Sequence, residues 1–238
     1  MKVEWTLKEQ RATIFIAPIQ YNVKNLAKVK EAISNDNYLP YVMSNVPIIS
    51  FNNPGIMPNI DWVMTNDGEQ KQIHFTPQKI DFISTKEDET PETFCKEACD
   101  FFSRLIELFG SKVRRLAYAP KYSTPASAPV VDGLNEAIFK NNVFENRPLR
   151  NIDVRQNYRL SESLADKNYD LNYIANLSVV QEIVSEPGKT ILNTRLENLF
   201  DINTVQDNAK VFTGDEVKSF FTQSPLFAAK FLNNYNNV

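Results

Sequence analysis

Among 238 residues there is one histidine, His74. Its solitude removes most metal sites and the commonest general base together. His74 stands between Ile73 and Phe75, beside Gln72, so alternation puts it on the wet face of a strand, where it could serve as a binding contact. The two cysteines, Cys95 and Cys99, fall four apart on the apolar stripe of a helix and read as small core residues. With one distant histidine they lack the ligands of a zinc site. They would form a redox pair only if the helix start lowered a thiol pKa. Gly188-Lys189-Thr190 imitates the tail of a phosphate-binding loop. The glycine that motif needs five residues earlier is Ile183, and the segment joins two strands, so it reads as a turn. No Gly-x-Gly-x-x-Gly occurs in a chain with six glycines, which disfavours a dinucleotide fold. Asp81 and Asp201 could pair as acid and base across a sheet, yet each fits the polar side of an amphipathic strand. No catalytic set, cofactor or metal site is expected, and an enzyme is the less favoured class.

The basic residues carry the strongest functional signal. The formal charge is −3, but residues 111–159 hold nine cationic against four acidic side chains. Within them Arg155 and Arg159 lie two alternations apart on one strand face, Arg195 could join them from a neighbouring strand, and Arg114 and Arg115 add a second cluster. Such a face could grip a phosphate or carboxylate bidentately, or meet an acidic partner. The plainer reading is a solvated face with the cations paired to Asp153 and Glu197.

These side chains need elements to hold them. Hydrophobic residues make up 42% and charged residues 23% of the chain, ordinary globular usage that excludes extensive disorder. No stretch approaches eighteen consecutive apolar residues, and the start lacks a signal peptide's apolar core, so a cytoplasmic protein with no membrane association is expected. Reduced cysteines agree with that placement.

The periodicity predicts a strand at Thr13–Ile16, a helix from about Asn25 to Ser34, and strands around 48–51 and 60–65. The turn Asn66-Asp67-Gly68 leads into returning strands at 71–75 and 80–83. Thr90-Pro91 starts a long helix that ends at Gly110. The second half repeats that order: a strand at 113–118, a loop, a helix at 134–141, strands at 152–160, 172–184 and 190–204, then a helix from about Gly214. Segments 120–131 and 143–150 read as loops. Short matches support a duplication. Glu31-Ala32-Ile33 with Asn37 aligns with Glu136-Ala137-Ile138 with Asn142, and Ile83-Ser84-Thr85 aligns with Ile202-Asn203-Thr204. The expectation is an α+β fold of two similar halves, 1–110 and 111–238, in one continuous domain whose sheet is backed on one face by helices.

That element order resembles the duplicated TATA-binding-protein-like topology, which implies a continuous curved sheet backed by the long helices. Val113-Arg114-Arg115-Leu116-Ala117-Tyr118 after a long mid-chain helix, and Phe200-Asp201-Ile202-Asn203-Thr204 followed by Phe212-Thr213, resemble a sporadically distributed family of uncharacterised prokaryotic proteins. That family implies no activity.

The functional expectation is therefore a non-catalytic binding protein that engages a macromolecular partner, a protein before a nucleic acid, through a polar sheet face or its rim loops. Nucleic-acid binding through the basic 111–159 segment is one alternative. An enzyme on a phosphorylated or carboxylated small molecule is the other. An exposed sheet edge would permit a homodimer.

Overall fold

The computed structural model describes residues 4–18, 23–33, 38–49, 56–66, 68, 70–126, 153–186, 189–207 and 210–235. The elements run β1 Thr6–Ile16, α1 Val23–Ala32, β2 Leu39–Ile49, β3 Ile56–Thr65, β4 Lys71–Thr76, β5 Lys79–Ser84, α2 Pro91–Phe109, β6 Val113–Pro125, β7 Asp153–Leu164, β8 Lys167–Glu186, β9 Lys189–Thr204 and α3 Gly214–Tyr235. The expected helix at 134–141 and loop at 143–150 lie outside the described residues.

The fold is α+β. Nine strands form one antiparallel sheet in the order β2-β3-β4-β5-β1-β6-β9-β8-β7. β1 and β6 lie side by side at the centre. From β1 the sheet continues outward through β5, β4, β3 and β2, and from β6 through β9, β8 and β7.

Most strands run further than the periodicity predicts: β2 starts at Leu39 rather than near 48, β3 at Ile56 rather than 60, β8 at Lys167 rather than 172, β7 ends at Leu164 rather than 160, and β1 and β6 are extended too. β1 starts at Thr6 rather than Thr13 because Lys8, Glu9, Gln10 and Arg11 hide the alternation in sequence. Gln10 is nonetheless buried, with its amide accepting from Tyr118 Oη at 2.8 Å. β6 continues to Pro125, through what reads as the start of a loop, since Pro120 lies opposite Gln10 and the pairing with β1 persists to Ser123.

One sheet face is apolar and covered by the helices. Ile14, Phe82, Leu116, Tyr118, Leu171 and Ile202 lie beneath α2 and α3. Helix α2 forms because Phe94, Cys95, Ala98, Cys99, Phe101, Phe102 and Leu105 make a buried stripe at helical spacing. Thr90 Oγ1 caps it by accepting from the Thr93 N–H at 3.2 Å. It stops at Gly110, whose φ of 58° is left-handed. The two long helices meet through Phe102 and Phe221, ring centroids 5.4 Å apart. Phe231 of α3 stacks on Tyr173 of β8 at 5.0 Å. Both cysteines belong to this core and are free, and burial pushes both thiols up, away from the thiolate a redox pair requires. No described helix is long and apolar enough to cross a membrane.

Candidate binding cleft

The opposite sheet face is polar, and alternation explains how. Along β1, Ala12, Ile14 and Ile16 turn to the helices, so Glu9, Arg11, Thr13 and Phe15 turn away. Along β6 the same rule sends Leu116 and Tyr118 inward and Arg115, Ala117, Ala119 and Lys121 outward.

Six neighbouring strands, β5, β1, β6, β9, β8 and β7, contribute to one cleft of about 840 Å³ on this face. At roughly 4.8 Å per strand, a flat sheet would spread them over about 24 Å. The cleft touched by both outer members is therefore a groove that runs across the strands. Thr13, Ala117 and Ala119 supply short side chains at the central strands, where longer ones would fill the space.

Charge in the cleft is balanced. Arg11, Lys79, Arg115, Lys121 and Arg155 face Glu9, Asp81, Asp153, Glu197 and Asp201. Several of these neutralise one another. Arg11 pairs with Glu9 at 3.2 Å, and Lys79 with Asp81 at 2.7 Å. Glu197 accepts from both Lys121 and Arg195, each at 2.8 Å. Burial would raise the Glu197 carboxyl, but those two cations hold it below the ordinary carboxylate range, so it remains a charged acceptor. Arg115 has no carboxylate partner among the described residues. Its guanidinium lies 4.9 Å from the Phe15 ring centroid and donates to Asn203 Oδ1 at 2.8 Å.

Asn203 is the hub of a hydrogen-bonded chain across four strands. Arg159 Nε donates to Asn172 Oδ1 at 3.2 Å, and Asn172 Nδ2 donates to Asn203 Oδ1 at 3.1 Å. Asn203 Nδ2 in turn donates to Asp201 Oδ1 at 2.9 Å. The pairing registers extend this into a transverse row of His74, Asp81, Thr13, Ala117, Asn203, Asn172 and Arg159, one residue per strand.

The residues singled out from the sequence are distributed along this face without meeting at a point. Arg155 is exposed and lines the cleft, and no ion pair holds it among the described residues. Arg159 is exposed two alternations further along β7. Arg195 does not join them from a neighbouring strand, because β8 lies between β9 and β7. Arg195 stands opposite Val180 and donates to Glu197, whereas Arg155 stands opposite Asn176. Arg115 lines the cleft, but the register shift between β1 and β6 skips Arg114, which is exposed and outside the cleft lining. His74 is half-buried, with its Nε2 3.0 Å from Gln72 Oε1, directly across the ladder from Asp81. Burial lowers its pKa, and Asp81 partly opposes that.

Asp81 is no solvent-side residue. It is 3% exposed, accepts from Thr13 Oγ1 at 2.6 Å and pairs with Lys79. Glu9, Arg11 and Lys79 escaped the sequence reading, and Lys121 entered it only as one of the nine cations of the 111–159 segment, although the alternation of 115–121 with Leu116 and Tyr118 carries the signal for its place on this face. Nothing local in the chain places β1 next to β6.

No family model and no curated protein matches the chain. Among solved structures, a regulatory subunit of aspartate kinase from Thermus flavus aligns at 10% identity over 95% of this chain and 97% of its own, with a TM-score of 0.25. A likeness that remote carries no argument about fold or function, and the two resemblances read from the sequence stay resemblances.

Proposed function

We propose that the protein is a non-catalytic binding protein that engages a polypeptide partner through the polar face of its sheet. The observation that carries this reading is the charge balance of the cleft, five cationic against five acidic side chains over six strands. A nucleic acid calls for an excess of cations along its phosphates. A polypeptide segment of mixed charge matches alternating signs. The run from Arg115 to Lys121 spans about 20 Å at strand rise, room for an extended segment rather than a compact metabolite. Arg115 and Arg155, unpaired with carboxylates among the described residues, are the cations free to meet acidic groups of the partner, and Asp153 and Asp201 the anions free to meet basic ones.

Selection of a displayed random-peptide library on the immobilised protein tests this, with Ala117→Trp as the comparison because it fills the cleft floor. Sequences carrying both acidic and basic residues should enrich on the parent protein and be lost on a folded Ala117→Trp variant. Equal recovery on both proteins overturns the reading. So does displacement of the selected peptides by single-stranded DNA at low salt, which would favour nucleic acid as the occupant.

A further inference from the structure

Among the described residues, the two edges of the sheet are built differently. The β2 edge carries Pro40 and Pro47, and its register with β3 breaks between Pro40 and Val42. Prolines and irregular pairing are devices that stop a sheet from adding strands. The β7 edge has neither. Its twelve residues contain no proline or glycine and pair with β8 without interruption from Asp153↔Ser178 to Leu164↔Lys167. Two of the exposed large hydrophobic residues, Tyr158 at 49% and Leu160 at 42%, belong to this strand. A long, regular, partly apolar edge is a template for another strand.

We propose that the strand it receives is β7 of a second copy, in an antiparallel pair centred on Gln156. In a two-fold pair, residues equally distant from the centre face each other, and the choice of centre decides which charges meet. A centre at Arg155 or Arg159 sets that arginine against itself. Asn157 at the centre opposes Arg155 to Arg159 twice. Tyr158 at the centre brings no opposite charges together. With Gln156 at the centre, Asp153 faces Arg159 twice, Val154 faces Tyr158 twice, and Arg155 faces Asn157 twice. This register satisfies the outward backbone groups and joins two nine-stranded sheets edge to edge.

Sedimentation equilibrium on the full chain reads the association. The parent protein should dimerise, Arg159→Asp should weaken the dimer by about tenfold or more by opposing two aspartate pairs, and Asp153→Arg with Arg159→Asp together should restore it. Circular dichroism checks that each variant is folded. Independently, Gln156→Cys should form a disulfide-linked dimer on mild oxidation while Ser161→Cys does not; Cys95 and Cys99 are buried and stay out of the reaction. A parent protein that stays monomeric overturns the proposal, as does a dimer indifferent to Arg159→Asp. A charge swap that fails to restore association overturns the Gln156-centred register.

Discussion

Glu216 shows how much one side chain can do. It lies at the third position of α3 and is 2% exposed. Its Oε2 accepts from the Thr213 N–H at 2.7 Å while Thr213 Oγ1 accepts from the Glu216 N–H at 3.3 Å, a reciprocal capping box. Lys167, 2.7 Å away, and the Tyr169 hydroxyl both donate to Oε1. Burial alone would raise this carboxyl, but the donors bring it down to about 2. A pKa below the unfolded value means the stabilisation is complete above the ordinary carboxylate pKa and drains away as pH falls toward 2. Glu216→Gln should therefore cost about 2 kcal/mol at pH 7, and thermal melts at pH 7 and pH 3 should show its deficit shrinking with acid. Lys71 makes a second buried centre, 2.7 Å from Glu89 and also paired with Glu97. Lys71→Met strands the Glu89 charge and should cost about 3 kcal/mol, most of which the added Glu89→Leu should recover in denaturant melts. The Thr-x-x-Glu pattern at 213–216 is legible in the chain. The partnership of Lys71 with Glu89 is not, because it depends on where the β4 start meets the α2 cap.

Single elements are mostly legible where their periodicity is strong. The α2 stripe, the Asn66 hairpin and the alternation of β9 read directly, whereas β7 alternates in sequence but leaves Tyr158 and Leu160 of its apolar side largely exposed. β1 does not read directly over Lys8–Arg11, where its pairing with two neighbours overrides a locally polar pattern. The end of α2 offers a clean test of backbone conformation. At Gly110, φ is 58° and a Cβ would meet nothing within 4 Å, so Gly110→Ala changes backbone strain without a clash. It should destabilise by about 1 kcal/mol, and Gly110→Asn, which tolerates the left-handed region, by less. Chemical denaturation of the three proteins gives the ranking. An alanine variant as stable as the parent would mean that the helix end refolds around it.

At the scale of the whole molecule, a cleft depends on strand order, and order is what alternation cannot supply. The sequence reading put Arg155 and Arg159 on one face because they share a strand, and misplaced Arg195 because β8 intervenes. It missed the seam between β1 and β6 that brings Arg11 and Thr13 to the cleft. The same seam makes residues 1–110 and 111–238 depend on each other. Residues 1–110 produced alone leave one side of β1 unpaired, and residues 111–238 alone leave β6 open to solvent. Neither fragment should give dispersed amide NMR spectra by itself, and mixing the two should restore them; a well-folded 1–110 fragment would contradict this. The seam also sets an order of events during synthesis. Thr6–Ile16 leaves the ribosome early, yet pairs first with Lys79–Ser84 and then with Val113–Ser123. The central strand of the sheet must therefore wait, with Ala12 and Ile14 uncovered, until more than a hundred further residues have been translated, and over that interval the nascent chain is the form most in need of a chaperone.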